Sequence, residues 1–314
     1  MRLVFLGTPE FAIPSLKNLV QAGHHVLAVF TQPDRPKGRG NKLSESPVKI
    51  AARELGLEVH QPERIRRPEI VDKLRSLDTD LMVVVGYGQI IPQSIIDLPR
   101  HGILNVHGSL LPKYRGAAPI QWAIANGETE TGVTIMQIDA GLDTGDMLLK
   151  AAVSINPDET APELSAQLAM LGAQLLLDAI DQIQAGRICR EKQNDAEAKY
   201  APILKKEDGR IDWRRPAIEI YNRLRGFTPW PGAYTSFRGQ PLHVLHARPV
   251  ESAATEGTDR PPGLLRIEKR RLFAACGNHT EFELLELQPA GRKRMSADAF
   301  LNGYNVSEKE RLGE

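Results

Sequence analysis

An asparagine and a histidine two residues apart, in the run Asn105-Val106-His107-Gly108-Ser109-Leu110-Leu111-Pro112, are the side chains best suited to chemistry in this chain. They fall at the end of an expected strand over 103–106, where the two-residue period of a strand turns both to one face. An amide N–H beside an imidazole suits a reaction that collects negative charge on a carbonyl oxygen. The amide stabilises the oxyanion, and the imidazole donates to it or moves a proton. Alone, the pair is a weak signal and better describes a strand-end histidine satisfied by backbone. A third group separates the two readings: Asp139-Ala140-Gly141-Leu142-Asp143-Thr144-Gly145-Asp146 packs three carboxylates and two glycines into eight residues. A carboxylate near an imidazole favours the imidazolium and fixes its orientation. The same run also fits a turn held by Asx hydrogen bonds. It does not fit a calcium loop, which needs a closing glutamate.

Other chemistries fail on spacing. His107 and Cys189 lack the intervals of a zinc site, and no Gly-x-Ser-x-Gly elbow offers a nucleophile. Gly7-Thr8-Pro9-Glu10-Phe11 carries one glycine where a dinucleotide fingerprint needs three, and Glu10 would repel a pyrophosphate. No phosphate-cradling Gly-x-x-x-x-Gly-Lys-Ser/Thr occurs.

The elements that must position these groups alternate through the first half. Apolar runs at 3–6, 26–30, 81–85 and 103–106 read as buried strands, with 59–61 a shorter one. Between them lie helical patterns at 14–22, with Gly23 placed as its C-cap, at 48–55 and at 69–77. Ser46-Pro47 reads as an N-cap followed by proline at the first helical position, with Gly56 as the stop. Residues 33–46 read as a long polar loop. The alternation implies an α/β fold, a doubly wound and mostly parallel sheet covered on both faces. Strands at 131–138 and 147–155 flank the aspartate-glycine run, and a helix starts near Thr160, where Thr160-x-x-Glu163 has the capping-box pattern, and ends at Gly186. The charged stretch 190–208 reads as a linker. Beyond it come a helix over 216–224 and short strands at 233–237, 242–247, 264–267, 272–275 and 282–287, the grammar of a small C-terminal β-barrel of OB-like type. The expected domains are 1–189, catalytic, and 209–314, joined by 190–208.

At 314 residues with 41% hydrophobic and 25% charged residues, the chain has the composition of a soluble globular protein and the length of two domains. No apolar run approaches the roughly 18 residues of a membrane span. The amino-terminal stretch is too short and too soon broken by Pro9 and Glu10 for a signal peptide. Two distant cysteines, Cys189 and Cys276, give no disulfide framework, so a reducing cytoplasm is expected. The net charge of +1 conceals an asymmetry: residues 209–314 hold 17 Lys/Arg against 13 Asp/Glu, and the rest hold 23 against 26. Cations cluster at Arg35, Lys37, Arg39, Lys42 and Lys49, at Arg266, Lys269, Arg270 and Arg271, and at Arg292-Lys293-Arg294. Such clusters can hold phosphates or merely solvate loops.

The run from Asn105 to Pro112, together with Arg115-Gly116-Ala117-Ala118-Pro119-Ile120-Gln121-Trp122 and Gly141-Leu142-Asp143-Thr144-Gly145-Asp146, resembles the folate-dependent formyltransferases. Gln32-Pro33-Asp34-Arg35-Pro36-Lys37-Gly38-Arg39-Gly40 and Trp230-Pro231-Gly232 narrow the likeness to the methionyl-tRNA formyltransferase family, and it runs from Gly7 to about Phe300. The sequence departs from the family pattern at Gly86, where alanine is expected before Tyr87-Gly88. The resemblance implies a donor, 10-formyltetrahydrofolate, an acceptor amine on methionyl initiator tRNA, no metal, no obligate protein partner, and a monomer. It implies Asn105, His107 and Asp143 as catalytic residues. Ser109, Leu110, Leu111 and Pro112 would line the folate, with backbone at Gly86, Tyr87 and Gly88 framing the pterin. The loop bearing Arg35, Lys37, Arg39 and Lys42 would enter the acceptor stem, and Lys269, Arg270, Arg271, Arg292 and Lys293 would contact phosphates. The competing reading in the same fold is an N-formyltransferase acting on an amino sugar nucleotide, which needs no basic insertion. An idle RNA-binding protein would leave Asn105, His107 and Asp143 unexplained, and formyl hydrolysis would not need the basic C-terminal portion.

Overall fold

A computed structural model describes residues 1–37, 42–250 and 260–314. The chain divides into two compact units, the first comprising 1–119, 130–154 and 163–202, the second 120–129, 155–162 and 203–314.

Among the described residues, eleven strands belong to the first unit: β1 (Arg2–Gly7), β2 (His25–Phe30), β3 (Arg35–Lys37), β4 (Lys42–Ser44), β5 (Val59–His60), β6 (Leu81–Val85), β7 (Ile103–His107), β8 (Arg115–Gly116), β9 (Glu130–Gln137), β10 (Met147–Ser154) and β11 (Tyr200–Ala201). The helices are α1 (Ile13–Gln21), α2 (Pro47–Glu54), α3 (Pro68–Ser76), α4 (Gln93–Ile96), α5 (Pro119–Ala125), α6 (Ala161–Gln184), α7 (Ala217–Gly226) and α8 (Ala297–Tyr304). The main sheet has the order β10-β9-β7-β6-β1-β2-β5. Its β7-β6-β1-β2-β5 portion is parallel, as the apolar runs predict, and Leu3–Leu6 and Leu81–Val85 are buried throughout. The chain order reverses between β1 and β6, so the turns after those strands flank a topological switch point, where open α/β sheets bind ligands. β9 and β10 are antiparallel. The segment between them, 138–146, is shorter than the dozen or so residues that a parallel crossover requires, so a hairpin is the available connection.

Local signals work where expected. Ser46 Oγ accepts from the Lys49 amide at 3.1 Å, and Pro47 opens α2. Gly23, Gly56 and Gly186 end their helices with φ of +80°, +69° and +66°. Two expectations change. The polar loop 33–46 contains a small antiparallel pair, β3 with β4, whose strands are too short and too polar to show apolar alternation. The charged stretch 190–208 is ordered, with β11 pairing parallel to β8 and residues up to 202 packed in the first unit. Its anchors are side-chain and backbone hydrogen bonds, which hydrophobic patterning does not register.

The second unit is an antiparallel sheet of β12 (Ala233–Phe237), β13 (Gln240–Val250), β14 (Leu265–Glu268), β15 (Arg271–Ala275) and β16 (Glu281–Pro289), ordered β12-β13-β16-β15-β14, with β17 (Met295–Ser296) beside β16. Trp213, Leu224, Phe237, Phe282, Leu284 and Phe300 are among its core residues, and α7 and α8 pack on the sheet. α8 has no counterpart in the sequence reading. It is one short amphipathic stretch, capped by Ser296 Oγ accepting from the Ala299 amide at 3.2 Å. Along β16 the alternation sends Phe282 and Leu284 into the core and Glu281 and Glu283 to the opposite face, where both are nonetheless buried.

Candidate active site

Asn105 and His107 share one face of β7, and His107 is 5% exposed. The hairpin segment between β9 and β10 folds back over that face. Its Asp143 places one carboxylate oxygen, Oδ1, 3.5 Å from Asn105 Nδ2 and the other, Oδ2, 3.8 Å from His107 Nδ1. The first is a long hydrogen bond; the second is an ion-pair separation and not a hydrogen bond. The other ring nitrogen of His107, Nε2, donates to the Tyr114 carbonyl at 2.9 Å. With Nε2 given to that carbonyl, Nδ1 faces the Asp143 carboxylate across a gap too long for a hydrogen bond. Asp143 Oδ2 also accepts the Gly116 amide at 2.8 Å. The three side chains singled out in the sequence therefore converge, with Asp143 approaching from a hairpin that leaves β9 beside the start of β7.

Tyr114 and Gly116 complete the polar shell, and nothing in the sequence alone marks them for that role. Gly116 has φ +121°, and a Cβ there would stand 2.6 Å from the Ala201 carbonyl oxygen. Gly116→Ala is expected to push β8 from β11 and to draw the amide off Asp143. The expected stability loss is about 2 kcal/mol, read as a melting temperature lower by about 4–8 °C, with a parallel fall in turnover.

The expected donor-side residues differ in what they can offer. Gly86 and Gly88 take positive φ, +57° and +83°, and a Cβ on Gly86 would lie 2.8 Å from Pro9 Cγ. Glycine at the position where the family pattern has alanine thus fits a turn pressed against Pro9. The Tyr87 side chain is 1% exposed among the core residues of the sheet, and its carbonyl accepts from Thr8 Oγ1 at 3.0 Å and Gln32 Nε2 at 3.1 Å. The Tyr87 hydroxyl is buried without a hydrogen-bond partner among the described residues. Ser109 is fully buried, its hydroxyl donating to the Lys113 carbonyl at 2.6 Å, and Leu111 packs with Met136 and Met147. Leu110 and Pro112 are half-buried. Ser109, Leu111 and Tyr87 are therefore buried, and of the side chains in this set those of Leu110 and Pro112 are the partly exposed ones. Paired glycines at the switch point and apolar edges nearby fit a flat heterocycle held by backbone amides.

The cations divide more sharply. The Arg35 side chain is exposed and makes no hydrogen bond or ion pair among the described residues. Arg39 and the side chains of Lys37 and Lys42 lie outside the described residues. Lys49, grouped with them in sequence, is committed to Asp34 at 2.6 Å and Glu45 at 3.1 Å. In the second unit Lys269, Arg292 and Lys293 are exposed and carry no ion pair among the described residues. Arg270 and Arg271 are not free in this way. Arg270 pairs with Asp298, and Arg271 forms a fork on Glu283 at 2.6 and 2.8 Å. Arg248 reaches the same buried Glu283 at 2.6 Å, while Arg260 and Arg266 hold the buried Glu281. The Arg271 guanidinium, backed by Arg248, holds the Glu283 carboxyl below the usual carboxylate range against the opposing effect of burial. The partner of Arg271 lies on the neighbouring strand β16, so sequence adjacency does not reveal the pairing. The guanidiniums of Arg266 and Arg271 also stack on the Phe273 ring, 4.0 and 4.9 Å from its centroid.

Among the described residues no group of three or more His, Cys, Asp or Glu could hold a metal ion, and no helix is long and apolar enough to cross a membrane.

Residues 1–180 match the family described as formyl transferase, and residues 203–305 match formyl transferase, C-terminal domain. The chain is 60% identical to a methionyl-tRNA formyltransferase of Solibacter usitatus (strain Ellin6076), over 100% of this chain and 99% of that one. It is 51% identical to a methionyl-tRNA formyltransferase of Geobacter metallireducens, again over 100% and 99%. Among solved structures, an N-formyltransferase from Helicobacter canadensis in complex with folinic acid and dTDP-3-aminofucose superposes with a TM-score of 0.66 at 19% identity, covering 91% of this chain and 98% of that one. HypX from Aquifex aeolicus in complex with tetrahydrofolic acid superposes with a TM-score of 0.62 at 17% identity, covering 96% of this chain and 47% of that one. At those identities the two structures speak to the fold, whereas the full-length sequence relatives speak to the family: this chain belongs to the methionyl-tRNA formyltransferases.

Proposed function

We propose that this protein transfers a formyl group from 10-formyltetrahydrofolate to the α-amino group of methionine carried on initiator tRNA. The observation that carries the chemistry is the convergence of Asn105, His107 and Asp143 within 3.8 Å. Bound 10-formyltetrahydrofolate supplies the formyl carbon to which the neutral amine adds. Asn105 Nδ2 and His107 Nδ1 both face the space in front of the Asp143 carboxylate, and donate there to the oxygen on which charge collects. The 3.8 Å gap between His107 and Asp143 leaves Nδ1 unspent for that task. Asp143 holds the ring as the imidazolium while Tyr114 fixes its far side, and a proton passes from the amine to N10 of the departing folate. Backbone at Gly86–Gly88 frames the pterin, with Ser109–Pro112 along its edge. Residues 1–189 carry the chemistry, and 209–314, with the insertion around Arg35, Lys37, Arg39 and Lys42, carry the tRNA contacts. We place the enzyme in the cytoplasm as a monomer.

The amino sugar reading is disfavoured by the weight of sequence likeness, 60% identity to a methionyl-tRNA enzyme against 19% to the sugar enzyme. The deciding assay offers purified protein and 10-formyltetrahydrofolate either charged initiator tRNA or an amino sugar nucleotide. Formylmethionyl-tRNA is the expected product; a formylated sugar with no formylated tRNA would overturn the assignment.

A further inference from the structure

Asp143 does its work from an unfavourable backbone conformation: φ is +52° at a residue with a side chain, in an exposed segment between two strands. Something must hold it there. Within the segment, Thr144 Oγ1 donates to the Asp139 carboxylate, which ties the residue after Asp143 back to the start of the segment but does not touch Asp143 itself. The hold on Asp143 itself comes from residues distant in sequence. Gln193 uses both hydrogens of its amide nitrogen, donating to the Asp143 carbonyl and to the Gly145 carbonyl, each at 2.8 Å. Its oxygen accepts from Arg115 Nε at 2.9 Å. Arg115 is 2% exposed and donates its outer nitrogen to Asp195 Oδ1 at 2.8 Å, so its charge is answered and its plane is fixed. The next residue along from Arg115 is Gly116, whose amide grips the Asp143 carboxylate.

We infer that Arg115 and Gln193 form a clamp that positions Asp143 for catalysis, with Gln193 a positioning residue acting through Asp143. The inference rests on the catalytic reading of Asp143 given above. The clamp holds Asp143 at both ends, Gln193 on the backbone carbonyl and Gly116 on the carboxylate. Every strong donor of the Gln193 amide is spent on the segment that carries Asp143, and none on the strands or helices of the fold. Its two donors bridge the carbonyls on either side of Thr144, and so fix the backbone of the one segment that carries Asp143. The charged stretch around 190–197 thereby becomes part of the active site's support, which explains why its polar residues are ordered beside β8.

Gln193→Glu is the discriminating variant. It keeps the shape and strengthens the pairing with Arg115, but sets a carboxylate with no hydrogens against two carbonyls. Gln193→Met, of similar length and without charge, controls for that repulsion. Both are expected to lower kcat by about tenfold or more, with folate KM within about twofold of the parent and the melting temperature within a few degrees, since a displaced catalytic group loses transition-state stabilisation and not substrate binding. In an Asp143→Ala background, Gln193→Glu should cause no further loss, because the group it positions is gone. Wild-type kcat in both Gln193 variants beside a crippled Asp143→Ala would remove the clamp and leave the catalytic reading standing. So would an equal further loss in the Asp143→Ala background. Normal turnover of Asp143→Ala alone would remove the catalytic reading and the clamp with it.

Discussion

His107→Ala and Asn105→Ala are each expected to lower kcat for formyl transfer by about a hundredfold to a thousandfold, the range that follows loss of one preorganised oxyanion donor. Folate affinity should barely move, because neither side chain is needed to bind the ground state. His107 is 5% exposed and satisfied at Nε2 by Tyr114, so its free nitrogen is already aimed and desolvated before substrate arrives. That preorganisation is what makes the loss large. Asp143→Ala should match it by a different route, since it strips the imidazolium of its counter-charge and releases the Gly116 amide. Residues acting as a unit do not contribute independently, so the double variant of His107 and Asp143 should be little worse than either single one. Single-turnover kinetics with charged tRNA, alongside folate binding by equilibrium titration, separate the two quantities. Near-normal turnover in Asp143→Ala would show that its carboxylate is a turn-former, the alternative that the aspartate-glycine run always permitted.

How much of this is legible in the sequence follows from the range of the forces involved. β1, β6 and β7 announce themselves because buried parallel strands must be apolar on both faces, and α2 because Ser46, Pro47 and Gly56 act within a few residues of one another. Asn105 and His107 are legible as a pair because strand period is local. Asp143 enters by its residue type and by resemblance, and its arrival depends on how the hairpin from β9 folds back. Gln193 is invisible: it lies in a charged stretch with no periodicity, and its significance lies wholly in partners at 115, 143 and 145. The same limit governs the cations. Arg271 and Lys269 look alike in sequence, but one is answered by Glu283 across the sheet and the other is not. Cross-strand pairing decides which charge remains for a ligand, and sequence adjacency does not report it.

The pairing has a measurable consequence for tRNA. Affinity for charged initiator tRNA should fall about 500-fold between 50 and 200 mM monovalent salt if about five phosphates are neutralised, at close to 0.9 of a counterion released for each. Alanine at Arg35, Lys269, Arg292 or Lys293 should weaken binding and flatten the salt slope by about one unit for each phosphate that is no longer neutralised. Arg271→Ala should behave differently. It removes one of the two guanidiniums on a buried carboxylate, leaving Glu283 with Arg248 alone, so its first effect is on stability and its effect on the salt slope is small. Arg270, exposed and paired with an exposed Asp298, stands between the two cases, because surface pairs of this kind contribute little and exchange readily for a phosphate. Filter binding across the salt series, with melting curves for each variant, tells these classes apart. A salt response that is flat in the parent protein would mean that the acceptor is not a polyanion, and the small-substrate reading would then have to be taken up again.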